Sequence, residues 1–199
     1  MIILNYQEYR EYIAVRNLAW EILIREQINT LPIQMTSLCR RLGIVVKLRD
    51  LDTGGKSTVI GNRAFIFINA ADPPTRQRFS IGHELGHILL GHVGKYELVC
   101  REPSPTDNPI ETAANRFSAR LLAPSCVLWG CGVQTADEIA ELCNISKTAA
   151  QFRMERMKLL YERQKFLTSS LEQQVYKQFD SFIQEHKIRD RPEHRRTDQ

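Results

Sequence analysis

The residues of this chain most able to do chemistry lie close together in His83-Glu84-Leu85-Gly86-His87. On an α-helix, two residues four apart are separated by about 40° around the axis and roughly one turn along it. His83 and His87 can therefore aim two imidazoles at one cation, and Glu84 can reach a water held there. Zinc suits such a site, because imidazole and carboxylate ligands complete a tetrahedral shell with one position open and bring the pKa of water down to about 7. A pattern with three fixed positions also arises by chance, and histidines on a half-buried helix are often ordinary hydrogen-bonded core residues. The surroundings favour the metal reading: Ile81, Leu85, Ile88 and Leu89 form an apolar face at helical spacing, so the pattern lies on an amphipathic helix.

Two histidines do not close a zinc site. His92 stands nine residues after His83, which at about 100° per residue puts it on the opposite face of a continued helix. A His-x-x-Gly-x-x-His extension also fails, since its glycine and histidine positions hold Leu90 and Val93. A carboxylate is expected instead, with Glu97, Glu102, Asp107 and Glu111 as candidates. Of these, only Glu111 falls on an expected helix, where a rigid element can aim it. Its competing role is specific. Glu111 lies three residues after Asn108 and can equally be the glutamate of a capping box.

The elements that must position these groups follow from pattern. Residues 7–27 read as a helix through Ile13, Leu18 and Ile22, and Leu31-Pro32 breaks it. Thr36 to Leu42 is a short second helix stopped by Gly43. Ile44–Leu48, Ser57–Ile60 and Arg63–Asn69 are strands, the last two joined by a Gly61-Asn62 hairpin turn. Asp52-Thr53-Gly54-Gly55-Lys56-Ser57 looks like a phosphate loop, but Asp50 stands where the first glycine is needed, so a turn is expected. The metal-motif helix opens at Pro74 or Thr75 and ends near Gly91. Lys95 to Asn108 is expected to be a loop walling the cleft. Asn108-Pro109 caps a helix that stops before Pro124, with Ile110, Ala114, Phe117 and Leu121 on its core face.

The paired motifs His83-Glu84-x-x-His87 and Glu111-x-x-Ala114-Asn115-x-Phe117-Ser118-x-x-Leu121-Leu122-x-Pro124 resemble the ImmA/IrrE family of metallo-endopeptidases. Leu31-Pro32-Ile33 and Leu38-Cys39-Arg40-Arg41-Leu42-Gly43-Ile44 resemble that family's approach to its first strand, so the likeness covers roughly residues 10–160. It implies that His83, His87 and Glu111 bind Zn2+, that Glu84 is the general base, and that Asn115 is a candidate to steady a ligand. It also implies the substrate, a bacterial helix-turn-helix repressor cleaved to release stress or mobile-element genes. Ser118 stands where alanine is commoner in the family.

The C-terminal third reads as a helix-turn-helix: Thr135–Leu142, a turn at Cys143-Asn144-Ile145, then Ser146 to about Gln164. Residues 146–165 carry six cations (Lys147, Arg153, Arg156, Lys158, Arg163, Lys165) against Glu155 and Glu162. Weak DNA contact is one reading, and a helical pair packed on the rest with a solvated basic face is the other. A last amphipathic helix is expected over residues 168–188, and a disordered charged tail over 189–199.

Bulk properties bound the rest. The chain has 199 residues, 43% hydrophobic and 25% charged, with a formal net charge of +4, all ordinary for a globular protein. Its five scattered cysteines include no Cys-x-x-Cys pair, which points to reduced thiols. No secretory signal or membrane-spanning apolar run is evident, so a cytoplasmic location is expected. The expected fold is α+β. A zinc-peptidase domain over residues 1–134 holds a small three-stranded sheet and a zincin-like helical core, and a helix-turn-helix-like subdomain covers 135–188. The rival from another class is a regulator that binds DNA or a repressor through a fold whose metal site is not catalytic.

Overall fold

A computed structural model of the chain describes residues 6–93 and 108–188. The fold is α+β. In chain order the elements are α1 (Tyr6–Arg25), α2 (Met35–Arg41), β1 (Ile44–Arg49), β2 (Gly55–Ile60), β3 (Arg63–Asn69), α3 (Pro74–Leu89), α4 (Pro109–Leu122), α5 (Ser125–Gly130), α6 (Ala136–Cys143), α7 (Lys147–Glu162), α8 (Ser170–Gln178) and α9 (Asp180–Glu185). The expected loop from Lys95 and the charged tail from 189 lie outside the described residues, apart from Asn108. So do the ligand candidates Glu97, Glu102 and Asp107.

The sheet has the order β1-β3-β2, with β1 parallel and β2 antiparallel to the central β3. Ile66 and Ile68 of β3 point into the core with no exposed surface. The β2–β3 turn places Gly61 at φ +60°, a conformation glycine adopts at little cost. β2 begins at Gly55, two residues before the expected Ser57, and lies at one edge of the sheet beside α3.

α3 and α4 lie side by side because small residues let them approach closely. A Cβ built on Gly86 would sit 3.2 Å from the Ala114 Cα and 3.1 Å from the Phe117 ring. One built on Gly82 would come within 2.5 Å of the Ser118 Oγ. Ser118 is fully buried and its hydroxyl donates to the Phe79 carbonyl at 3.0 Å, so this uncommon serine cross-links the two helices.

The C-terminal helices share the same buried cluster. Met154, Met157, Val175 and Phe179 pack with Ala19, Leu23, Phe117 and Leu128. The Gln178 amide donates to the Leu23 and Ile28 carbonyls at 2.8 and 2.6 Å, tying α8 to the end of α1. Asn144 turns the chain between α6 and α7 at φ 50°, the left-handed position expected of it. Two details differ from the sequence reading. α5 fills the segment after Pro124, where no helix is expected. The single helix over 168–188 is broken at Phe179, whose ring is fully buried and meets Phe182 edge-on, so the bend turns both aromatics inward.

Candidate metal centre

α3 supplies His83, Glu84 and His87, and α4 supplies Glu111 from its first turn. Asn108 caps α4 through a bond from the Ile110 N–H to its side chain at 2.9 Å. The Glu111 carboxylate, instead of turning back to close a capping box, faces the histidines. Its Oε2 lies 3.2 Å from His83 Nε2, and its Oε1 lies 3.3 Å from His87 Nε2. The two imidazole Nε2 atoms are 3.0 Å apart. Metal–ligand bonds of about 2.0–2.2 Å in a tetrahedron imply ligand separations of about 3.3–3.6 Å, so the three groups fit one small divalent cation once they spread by a few tenths of an ångström. Among the described residues they form the one group of three such side chains close enough to share an ion.

The ring nitrogens that face away from this cluster have partners. His83 Nδ1 lies 2.9 Å from Asn115 Oδ1. The amide oxygen can only accept, so His83 carries a proton on Nδ1, the arrangement that leaves Nε2 as the ring nitrogen able to ligate a cation. His87 Nδ1 lies 3.1 Å from His92 Nδ1. The helical extrapolation puts His92 on the far face, but α3 ends first. Gly91 adopts φ +70°, and the His92 N–H bonds back to the His87 carbonyl at 2.9 Å, a Schellman turn that folds His92 against His87.

Glu84 is nearly buried, at 8% exposure, and accepts a 2.6 Å hydrogen bond from the Ser57 hydroxyl on β2. Gly55 leaves room for it: a Cβ there would come 3.2 Å from the Glu84 Cγ. Neither Ser57 nor Gly55 is identified as a site residue by sequence motifs. The glycine pair before the strand was the one available signal, and it reads only as a turn.

The electrostatics match a site built for a cation. Hydrogen bonds from His83 and His87 hold the Glu111 carboxyl well below the usual carboxylate range. Burial disfavours the charged form of His83, but bonding to Glu111 and the charges of Glu84 and Glu111 outweigh it and move its pKa upward.

The centre lies in a cleft of about 1150 Å³ that Gly54, Gly55, Phe79, His83, Glu84 and Asn115 line near the histidines. Two of the six cations assigned to a basic outer face line this cleft as well. Arg153 donates to the Ala123 carbonyl at 2.7 Å and Arg156 to the Tyr12 hydroxyl at 2.6 Å. No described helix is long and apolar enough to cross a membrane.

Comparison with known proteins agrees with this geometry. One curated relative, the radiation response metalloprotease IrrE of Deinococcus radiodurans, is 30% identical over 100 residues, covering 45% of this chain. Those residues span only 30% of the relative's length. The sequence profile of the Peptidase_M78 family, described as the IrrE N-terminal-like domain, matches residues 39–155, from α2 through most of α7. With the profile spanning both α3 and α4 and all the groups gathered at the metal centre, the chain belongs to the Peptidase_M78 family.

Proposed function

We propose that this protein is a zinc-dependent endopeptidase that hydrolyses a peptide bond in a protein substrate. The observation that carries this reading is the convergence of His83, His87 and Glu111 on one point with Glu84 beside them, held by Ser57. In this reading the two imidazoles and the Glu111 carboxylate hold Zn2+, which when bound polarises the scissile carbonyl and makes water more acidic. Asn115 keeps His83 in the ligating tautomer. Glu84 takes the proton of the attacking water and returns it to the departing amine. The Ser57 hydroxyl fixes one Glu84 oxygen and leaves the other for that transfer.

The motif likeness supports a bacterial helix-turn-helix repressor as substrate, cleaved to derepress stress or mobile-element genes. The name of the D. radiodurans relative, a radiation response metalloprotease, supports a stress role. The test is incubation of metal-loaded wild type and Glu84→Gln with a panel of purified bacterial helix-turn-helix repressors, followed by mass spectrometry of the products. Cleavage by wild type alone supports the reading. Intact repressor that binds both proteins equally sinks it and favours a regulator that masks its partner.

Weak DNA contact through residues 146–165 is the secondary reading. With Arg153 and Arg156 turned into the cleft, Lys147, Lys158, Arg163 and Lys165 remain exposed, and Glu155 and Glu162 are exposed with them. Lys147 already lies 3.8 Å from Asp137. Phosphate contact predicts a steep fall of affinity with salt.

A further inference from the structure

The cleft continues past Glu84 along α4 toward α7, where its wall changes character. Arg116 and Arg120 of α4 and Arg153 and Arg156 of α7 line it there, gathered around Tyr12 of α1. The guanidinium carbons of Arg116, Arg120 and Arg156 lie 5.5, 4.3 and 5.5 Å from the Tyr12 ring centroid. Among the described residues, no carboxylate forms an ion pair with any of the four.

Such an arrangement sets like charges close together in a partly buried place, which costs stability. Arg120 is only 8% exposed. Burial, with the charge of Arg120 adding to it, pushes the Arg153 guanidinium down to about 10. Burial alone would raise the Tyr12 phenol, but the charges of Arg120 and Arg156 outweigh it and move the pKa downward. The phenol and its ring are thus a partial substitute for an anion. The acceptors present are few: the Arg116 carbonyl at 3.2 Å and the Tyr12 hydroxyl for Arg120, the Ala123 carbonyl for Arg153 and the same Tyr12 hydroxyl for Arg156. A guanidinium has five N–H donors, and those without a protein acceptor here face the open cleft rather than the interior. The first turn of α7, through Ser146, Thr148 and Ala149, opens on the same cleft and adds the positive end of a helix dipole.

We propose that this arginine end is a subsite for an acidic side chain, Asp or Glu, of a polypeptide whose backbone lies across His83 and Glu84. A guanidinium cluster matches a carboxylate in charge and in fork geometry. The same cleft is lined by Phe79, Leu122, Ile145 and Phe152, with Phe152 68% exposed at its rim, so an acidic residue flanked by apolar ones fits the mixed wall. The identification of the ligand as a substrate chain rests on the peptidase reading, whereas the charge preference rests on the arginines.

Two assays on the zinc-loaded 199-residue chain separate those claims. The first titrates Glu84→Gln protein against two fluorescein-labelled octapeptide pools, randomised over uncharged residues except at one position, Glu in one pool and Gln in the other. The Glu pool is expected to bind about tenfold tighter. That advantage is expected to vanish in Arg156→Gln and in Arg116→Gln, made separately so that one misfolded variant leaves the other to decide. Equal affinity for the two pools, or a preference unchanged in the folded variants, overturns the subsite. The second assay digests a proteome-derived peptide library with wild type and reads the new termini by mass spectrometry. Asp or Glu enriched at one fixed position from the cut is the expected result. Cleavage without acidic enrichment overturns the subsite and leaves the peptidase intact. Selective binding of the Glu pool without any cleavage leaves the subsite standing and overturns the peptidase.

Discussion

Two helix pairs dominate this molecule, and they are put together in opposite ways. α6 and α7 are neighbours in sequence, joined by Asn144-Ile145-Ser146, of which Asn144 is left-handed. Each is capped by its own side chain: Thr135 with Glu138 in a capping box for α6, and Ser146 for α7. α3 and α4 are separated by residues 90–108 and meet through surface shape, with Gly82 and Gly86 set against Ser118, Ala114 and Phe117. The local pair needs only turn chemistry. The distant pair needs close packing, and the candidate metal centre forms where that packing brings Glu111 to His83 and His87.

The sharpest way to break the distant pair's function without unfolding it is to remove its side-chain chemistry. Glu84→Gln is expected to lower hydrolysis by about 10²–10⁴-fold while retaining metal, as measured by peptide turnover and elemental analysis. Glu111→Ala is expected to abolish stoichiometric metal binding by the same analysis. Metal retained by that variant would move the third ligand elsewhere.

Packing is tested next. Gly82→Ala drives a methyl against the Ser118 hydroxyl, so chemical denaturation should show a loss of about 1–3 kcal/mol. Adding Ser118→Ala should recover part of it, because the closest clash, at 2.5 Å, is with that oxygen. A double variant no more stable than Gly82→Ala would show that the helix backbones, not the hydroxyl, set the limit.

The ligand supports come after that. Asn115→Ala should weaken metal affinity about tenfold, since His83 loses the acceptor that holds its tautomer. Metal and proton also compete. The pKa of His83 is raised above the ordinary 6.5, so protonation begins to displace metal at a higher pH than for a free imidazole. Chelator competition across pH should show apparent affinity falling as the solution is acidified through that range. In the metal-free protein, the stability that protonated His83 contributes is full below 6.5 and is lost as pH rises through its elevated folded pKa.

The local pair should give the smallest response. Asn144→Ala places a Cβ-bearing residue with no side-chain amide at φ 50°, at a cost of about 1 kcal/mol, while Asn144→Gly should be close to neutral. Thermal melts of the two variants compare them directly.

How much of this was legible before the fold was known depended on distance along the chain. The helices around His83 and Glu111, the hairpin at Gly61-Asn62 and the turn at Asn144 are written in periodicity, caps and left-handed residues, all short-range physics. His92 marks where such reasoning fails. Carrying the helical angle past Gly91 sends it to the wrong face, because the chain had already reversed there. Arg153 and Arg156 fail for a related reason. Counting charges places them on an outer surface, whereas packing against α1 and α4 turns them inward. The contact of Ser57 with Glu84 has no local signature at all, since it exists only through the register of β2 beside α3.

By itself, the sequence determined most of the helices, several of their caps and the spacing of His83, Glu84 and His87, because each depends on interactions within a few residues, whereas α5 and the break between α8 and α9 carry no such local signal. It also narrowed the third ligand to a few carboxylates. The choice of Glu111 over a capping role, the pairing of Ser57 with Glu84 and the gathering of four arginines around Tyr12 were decided by tertiary structure. They depend on how closely helices distant in sequence can pack, and the glycines that permit that approach act only once the partner helix is in place.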